Sequence, residues 1–358
     1  MTNIERYIVA EVIKPLAAVL GILVGLFVCF SSARYLAEAI TETLGIALMM
    51  KLVFLKTLIA LEVLIPISLY VSIVIALGRM HRDQEIIAMR AAGINGLRII
   101  RAILWVAVPV GMVVGLLSIM GRPWAYEDSY ILDARANAEL NTDRFQPGRF
   151  YGSEDSARVI YIQQKNESNG LMKNIFHYID KNGIKEIILS RSASQIAKKE
   201  AERAELHLFD GTIHRLFEDD ENDEIVKFEK LVLYLNEVDD DIGYKRKAAT
   251  TTSLLLSQQS SDVAELQWRL SRPFATILLA LIAIPLSRSS PRQGRNERIF
   301  TAALVFALYY NLSGLARTWV EQEMVGSFPG IWWLQALMLV VVGVLLFPEF
   351  KSALFRKR

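Results

Sequence analysis

The side chains that most often catalyse reactions or bind metals are sparse in this chain of 358 residues. Two of its 4 histidines, His177 and His207, are predicted to lie on the surface of strands, and none lies in metal-ligand or triad spacing. Because Cys29 is the single cysteine, intrachain disulfides and zinc sites built from several cysteines are excluded. It lies inside an apolar run. There is no GxxxxGK[ST], HExxH or GxSxG motif. We therefore expect a non-catalytic chain with no cofactor or metal of its own, which takes its energy from a partner or an ion gradient.

A short segment after the second apolar run has the signals of an isolated helix. Asp83 is a suitable N-cap, Glu85 suits the positive end of a helix, Arg90 suits the negative end, and Gly93 predicts a stop. A helix of about nine residues is marginal alone in water, so its apolar side must be buried against something. The apolar residues concerned are Ile86, Ile87 and Met89. Two interpretations stay open: docking on the membrane or on the chain's own helices, and insertion into a motor subunit with Glu85 as the acidic contact.

Charged residues inside apolar spans are a second candidate group, because each costs roughly 2.5 to 3.5 kcal/mol on insertion scales. Glu62 is the deep example, and it could pair with Lys56 or with a partner chain. Both a structural and a transport role for it stay open. Arg34 and Lys51 lie at the ends of the first two spans, where snorkelling explains them. A cluster of cations there would also suit an anionic lipid head group.

The composition requires both membrane and soluble parts. With 53% hydrophobic residues the chain is too apolar for an ordinary soluble protein, yet 22% charged residues is too many for a bundle of spans alone. No dense basic stretch with interleaved aromatic residues indicates nucleic acid. Six apolar runs approach the roughly 20 residues that a span requires. They are Leu16–Ser32, Leu52–Leu77, Ala102–Gly121, Pro273–Ser287 with its extension Glu265–Leu270, Ile299–Ala316 and Ile331–Phe347.

The basic residues predict the orientation of these spans. They concentrate at 79–101, 288–298 and 356–358, so these segments and both termini are predicted to be cytoplasmic and the long insertion external. A cleavable signal peptide is the alternative for the first span, since Ala37 to Ala39 imitates a cleavage site. The acidic residues near the N-terminus and the long apolar run argue against it. The stretch Ile4–Lys14 is predicted to be an interfacial helix that leads into Pro15.

Between the third and fourth spans the hydrophobic period changes to two. Short β-like runs are separated by the turn signals Asn169-Gly170, Asn182-Gly183 and Asp210-Gly211. In the last run the apolar residues change parity, which predicts a bulge near Lys230. The runs are 158–162, 175–179, 186–189, 204–208 and 225–235. The predicted fold is an α-helical membrane protein with six transmembrane helices (3+3) and an inserted all-β domain of sandwich, jelly-roll or open-barrel type. The predicted domains are 1–122, 123–264 and 265–358.

Several segments, taken in order along the whole chain, resemble the lipopolysaccharide export permeases of the LptF/LptG family. No single motif would suffice, and the ordered combination with three spans on each side of a β insertion is the strongest part of the resemblance. The segments are Arg6-Tyr7 with Glu11, Arg79–Gly93, Glu265–Arg269, Pro285–Ser287 and Pro291–Arg295.

The resemblance implies a specific assembly in the inner membrane of a Gram-negative bacterium. The family's two permease subunits, LptF and LptG, form a heterodimer that binds a dimer of the ATPase LptB, which supplies ATP and Mg. The assembly extracts lipopolysaccharide and passes it through periplasmic β-jellyroll domains towards LptC. The segment around Glu85 matches the family's coupling helix, so Asp83, Glu85, Ile86, Met89 and Arg90 are implied to contact the ATPase.

The resemblance and the physics of an amphiphilic cargo also suggest substrate contacts. Arg34 matches a basic position implicated in lipopolysaccharide contact, and an antiparallel sheet with one apolar face could shelter acyl chains. Candidate lining residues, which an ordinary packed core explains equally well, are Val159, Tyr161, Phe176, Tyr178, Leu206 and Leu208. Two other functions remain open: a permease of a lipoprotein-release exporter, and a membrane-anchored sensor whose β domain binds a ligand.

Overall fold

Helices form both ends of the sequence, and the strands lie between them in chain order. A computed structural model describes residues 1–41, 46–138, 147–148, 150–153, 158–166, 171–181, 184–196, 205–217, 224–234, 244–288 and 295–355. One unit comprises Met1–Phe30, Phe54–Asp128 and Tyr244–Arg358, and the other comprises Ser31–Val53 and Ser129–Gly243. The helices are α1 (Asn3–Thr41), α2 (Ile46–Arg82), α3 (Glu85–Ala91), α4 (Gly96–Leu116), α5 (Arg122–Ala138), α6 (Thr251–Leu256), α7 (Ser260–Leu286), α8 (Arg295–Glu321) and α9 (Trp332–Phe355), with a π-helical turn at Leu117–Gly121.

Five helical segments within the described residues are long and apolar enough to cross a membrane, so the chain is a multi-pass membrane protein. They confirm five of the predicted spans. The sixth prediction, Ile299–Ala316, falls on α8, which is helical but is not among these five segments. The five segments are Asn3–Leu36, Ala47–Arg82, Gly96–Asp133, Ser260–Leu286 and Trp332–Glu349.

The first helix is one continuous element that contains both the segment Ile4–Lys14, predicted to be interfacial, and the first predicted span. Pro15 lies inside α1, which runs from Asn3 to Thr41. Ile8 and Val12 are fully buried in the apolar core of the helical unit, which fixes the start of α1 against the other helices. The helix continues through Pro15 although proline removes one backbone hydrogen bond.

Small residues let α4 and α7 approach closely at the centre of the helical unit. A Cβ atom added to Gly111 would lie 3.2 Å from the Pro273 carbonyl oxygen, and one added to Gly115 would lie 3.4 Å from the Pro273 ring. Larger side chains at these two glycines would separate the helices. The shared core then continues over α2, α8 and α9.

Within its described residues, the insertion forms one antiparallel sheet of six strands in sequential order. The short β1 has no counterpart among the predicted runs. A jelly roll contains Greek-key connections, so this meander does not confirm that part of the prediction. The strands are β1 (Phe150–Ser153), β2 (Arg158–Lys165), β3 (Met172–Lys181), β4 (Ile184–Ile196), β5 (Glu205–Phe217) and β6 (Glu224–Tyr234).

The regular pairing of strands β2 to β6 is interrupted at one position on every strand, and these positions are aligned across the sheet. We call them the crease row: Gln163, Asn174, Arg191, Asp210 and Glu229. On both sides of this row the register continues without a shift. Asn174 and Asp210 have left-handed backbones, with φ of 51° and 49°, a conformation that Asn and Asp adopt more readily than most residues.

The buried face of the sheet changes parity at the crease row. In β5, Leu206 and Leu208 are buried on one side of Asp210, whereas Ile213 is buried on the other. In β4, Ile188 and Ala193 show the same change around Arg191. Because alternate residues of a strand point to opposite faces, such a change requires either an inserted residue or a local departure from β geometry. The unshifted register and the left-handed residues indicate the second.

The crease row corrects two predictions and explains their origin. Asp210-Gly211 lies within the continuous strand β5 and is not a hairpin turn, since its positive φ marks the crease instead. The parity change in β6 occurs at Glu229 without the inserted residue that a bulge near Lys230 requires. The signals at Asn169-Gly170 and Asn182-Gly183 lie outside the described residues.

The predicted surface position of the two strand histidines was also wrong. His177 and His207 are buried, not surface residues. His177 belongs to the same cross-strand row as the core residues Ile160 and Ile188. Its position in the alternation along the strand, and not its polar side chain, therefore determines which face of the sheet it lies on.

Candidate functional site

The short helix α3 has a defined start and end that its sequence explains only in part. Gln84, with φ of 58°, occupies the N-cap without a side-chain hydrogen bond, so the predicted N-cap at Asp83 and the length of about nine residues were wrong. At the other end Gly93 has φ of 89° as predicted. The Gly93 amide donates to the Arg90 carbonyl at 3.0 Å and the Ile94 amide to that of Met89 at 2.9 Å, which is a Schellman stop.

Apolar contacts hold one side of α3 on the helical unit and leave another side open. Ile86 is 1% exposed within the core, and Met89 packs against the same core. Ile87, which the sequence required to be buried, is 58% exposed. The helix is therefore anchored by its own chain and presents an apolar residue outwards.

Charged side chains hold α3 from both ends. The Tyr7 hydroxyl on α1 donates to the Glu85 carboxylate at 2.9 Å. Arg90 donates to Glu349 of α9 at 2.6 Å, and Arg288 donates to the same carboxylate oxygen at 2.7 Å. The first turn of α3 is thus connected to α1, and its last turn to α9 and, through Glu349, to Arg288 just after α7.

A buried network of charges forms a second cluster in the helical unit, and Glu62 lies at its centre. The Glu62 carboxylate accepts hydrogen bonds from Arg122 at 2.5 Å, from Ser118 at 3.0 Å and from the Trp268 indole at 3.1 Å. The π-helical turn at Leu117–Gly121 contains Ser118. The sequence left Lys56 and a partner chain open as partners of Glu62. Glu62 instead pairs with Arg122, which the packing of different helices brings near.

Glu265 of α7 is the second carboxylate of this network and is fully buried. It pairs with Arg122, Arg269 and Arg317, each at 3.0 Å. Arg269 is also fully buried. It donates to the backbone carbonyls of residues 246, 247 and 249, at 3.4, 3.1 and 3.0 Å respectively. One glutamate thus connects α5, α7 and α8 and the chain segment before α6.

Cations outnumber carboxylates in this region of the described chain. Arg272 lies over the Trp268 ring at 3.6 Å, is buried, and forms no ion pair with a described carboxylate. Lys247 lies 5.5 Å from the Tyr126 ring, and partial burial together with the Arg317 and Arg122 guanidinium groups lowers its pKa. The arrangement favours an anion in the surroundings.

The Glu62 network and α3 are far apart along the helices. Glu62 precedes the end of α2 at Arg82 by 20 residues, which is about 30 Å at 1.5 Å per residue. Glu265 precedes the end of α7 by a similar distance. This spacing is comparable to the thickness of a hydrocarbon core, about 30 Å.

The residues predicted to contact substrate do not share one surface. Val159 pairs with Tyr178, and Tyr161 with Phe176, on the face opposite the sheet's core. The other two lining candidates, Leu206 and Leu208, lie within the core. Arg34 is exposed near the end of α1. The six lining candidates cannot therefore line one channel together.

Sequence reasoning missed most of the buried network. The signal was present in α7, where Glu265 and Arg269 are spaced to pair on one helix face and Arg272 follows inside an apolar stretch. The partners Arg122 and Arg317 come from other helices, and no local pattern indicates their proximity.

Comparison with known proteins gives a consistent result. The family model described as "Lipopolysaccharide export system permease LptF/LptG" matches residues 6–347. The chain is 23% identical over 320 residues to the lipopolysaccharide export system permease protein LptF of Escherichia coli strain K12, covering 86% of this chain and 84% of that protein. The protein of the same description from Shigella flexneri matches to the same extent.

Proposed function

The chain belongs to the LptF/LptG family of lipopolysaccharide export permeases, and we propose that it is a non-catalytic permease subunit of an ATP-driven exporter in a bacterial inner membrane. In this proposal it takes the LptF position in a heterodimer with an LptG-type paralogue. An LptB-type ATPase dimer binds ATP and Mg on the cytoplasmic side, and an LptC-type component receives lipopolysaccharide on the other. The near-complete family match favours this function over a lipoprotein-release permease or a ligand sensor.

The exposed side of α3 is the observation that carries the proposal. Ile86 anchors the helix on its own chain, while Ile87 is exposed and Glu85 lies beside it at the helix start. An apolar residue next to a carboxylate suits a groove on a soluble partner better than an aqueous surface. Because Glu85 bonds to α1 and Arg90 bonds to α9, force applied to α3 would reach the spans directly.

In this proposal the Glu62 and Glu265 network lies towards the membrane surface that meets the cargo. The excess of guanidinium groups around Glu62 and Glu265 would favour an anionic head group at that surface. The apolar face of the sheet, which includes Leu206 and Leu208, would shelter acyl chains beyond the membrane. We keep Arg34 as a cargo contact, since it is exposed at the end of α1.

Substitution of Ile87 and Glu85 in α3 tests this function. Ile87→Asp and Glu85→Ala should each reduce co-purification of the ATPase at least tenfold, or should leave the complex assembled but abolish ATP-dependent release of lipopolysaccharide. The matched control is Leu256→Asp, which places the same charge on an exposed apolar residue of α6. Full ATPase content together with normal release in both α3 variants would contradict the proposal.

A further inference from the structure

The sheet has an open pocket that none of the roles above uses. It lies along the crease row, on the face opposite the apolar core, and has a volume of about 680 Å³. Small-molecule sites commonly have volumes of roughly 300 to 1,000 Å³. The pocket is therefore large enough for a ligand of several rings.

Apolar side chains form one wall of this pocket. Tyr161, Phe176 and Leu189 are cross-strand neighbours in a single row over β2, β3 and β4. Leu189 is 42% exposed although it is apolar. The Phe150 ring lies 4.7 Å from the Tyr161 ring and extends this wall to the sheet edge. The wall presents flat apolar surface to solvent.

Polar groups form the floor at the crease row. The Asn174 side-chain amide donates to the Gln163 carbonyl oxygen at 2.7 Å, which aligns two amides along the pocket. Neither the Asp210 carboxylate nor the Thr212 hydroxyl bonds to another described side chain, so both can bind a ligand. These groups offer hydrogen-bond donors and acceptors in close succession.

Two cations complete the pocket. Arg191 belongs to the crease row, and Lys227 lies on β6 across from Thr212. Neither forms an ion pair with a described residue. Arg215, on the same sheet, shows the usual alternative, since it pairs with Glu186 at 3.4 Å and Glu224 at 3.2 Å. The positive charge of the pocket is therefore available to an anion.

We propose that this crease pocket binds an anionic oligosaccharide, which in this family would be the phosphorylated saccharide part of the exported lipid. An acyl chain would leave the amides and the carboxylate without partners, and a free phosphate would not use the aromatic wall. A sugar ring stacks on aromatic side chains by its C–H face, and its hydroxyl groups bond to amides and carboxylates. Its phosphate groups would pair with Arg191 and Lys227. Naming the cargo rests on the proposed function, whereas the ligand chemistry rests on the pocket.

Calorimetric titration of the purified full-length chain tests the inference. The probes are fully deacylated lipopolysaccharide, the same oligosaccharide after dephosphorylation, inorganic phosphate, and dodecanoate. We expect the phosphorylated oligosaccharide to bind the wild-type chain, and at least tenfold weaker binding for each of the other probes.

Matched variants locate the binding. The double variant Arg191→Gln with Lys227→Gln should weaken binding of the phosphorylated oligosaccharide at least tenfold. Lys173→Gln with Lys230→Gln removes the same charge from exposed positions outside the pocket and should change binding less than twofold. Tyr161→Leu keeps an apolar residue in β2 and should weaken binding at least threefold by loss of the ring.

Several outcomes would overturn the inference. These are no binding by the wild-type chain, an equal effect of the two double variants, or inorganic phosphate or dodecanoate binding as tightly as the oligosaccharide. ATP-dependent capture of intact lipopolysaccharide by the assembled complex is measured separately. Capture without oligosaccharide binding would overturn this inference alone, and oligosaccharide binding without capture would overturn the proposed function alone.

Discussion

The buried carboxylate of Glu62 gives the most quantitative test of the helical unit. Glu62→Gln keeps the shape of the side chain but removes the negative charge 2.5 Å from Arg122. Breaking a buried ion pair costs about 3 to 5 kcal/mol, because the remaining charge is left uncompensated. Arg122 still pairs with Glu265 at 3.0 Å, so we expect the lower end, about 3 kcal/mol in the free energy of unfolding.

The partner substitution should cost more, and the two should not be additive. Arg122→Met leaves Glu62 with the neutral donors of Ser118 and Trp268 only, so we expect about 4 to 5 kcal/mol. The double variant removes both charges at once. Its cost should therefore be smaller than the sum of the single costs by about 2 to 3 kcal/mol, the upper part of the range for coupled neighbours.

Denaturant unfolding of the purified chain in mixed micelles measures these differences. Lys56→Gln is the control, because sequence spacing made Lys56 the rival partner of Glu62. Combined with Arg122→Met, it should add within about 0.5 kcal/mol, as independent sites do. Additive costs for Glu62→Gln and Arg122→Met, or coupling of Arg122 to Lys56 instead, would refute the network as described.

Two further substitutions test the crease and the attachment of α3. Gly211→Ala should destabilise the sheet unit by about 1 to 3 kcal/mol, because the added Cβ would overlap the Phe228 ring and the Leu189 carbonyl oxygen; an unchanged thermal midpoint would contradict this packing. Glu349→Gln should accelerate amide hydrogen exchange in α3 about tenfold, since a neutral amide bonds its two arginine partners more weakly. Exchange at the wild-type rate would show that these contacts do not hold α3.

The spans were predictable because hydropathy depends on composition over about 20 residues and needs no knowledge of partners. The stop of α3 was predictable for the same local reason, since Gly93 alone supplies the left-handed residue. Which side of α3 faces its own chain was not. Ile86 and Ile87 are adjacent and chemically identical, and only the positions of α1, α2 and α4 decide which of them is buried.

The partner of Glu62 illustrates a second limit of the sequence. A residue six positions away on the same helix is the nearest cation in sequence, but it lies on another face. Arg122 is 60 positions away, and its approach depends on how α2, α5 and α7 pack together. Local charge spacing predicts ion pairs within a helix, such as Glu265 with Arg269. It does not predict ion pairs between helices.

In the strand region, an Asp-Gly pair can mark either a hairpin turn or a crease within a continuous strand. Asp-Gly indicates a residue with positive φ, which hairpin turns need, but the signal does not state whether the chain then reverses. At Asp210 the chain continues straight into the second half of β5. The parity change seen in the β6 sequence was the better clue, because the same change on neighbouring strands identifies a feature of the whole sheet.

The alignment of the crease row also sets how this sheet can change length during evolution. Each of β2 to β6 must place one interrupting residue at the same height, so deleting a single residue between a strand's end and its crease would displace that strand against both neighbours. Insertions should therefore accumulate in the connections between strands, or in equal numbers on adjacent strands. The number of residues between the crease and each strand end should therefore be conserved. It can guide the alignment of distant relatives whose side chains no longer match.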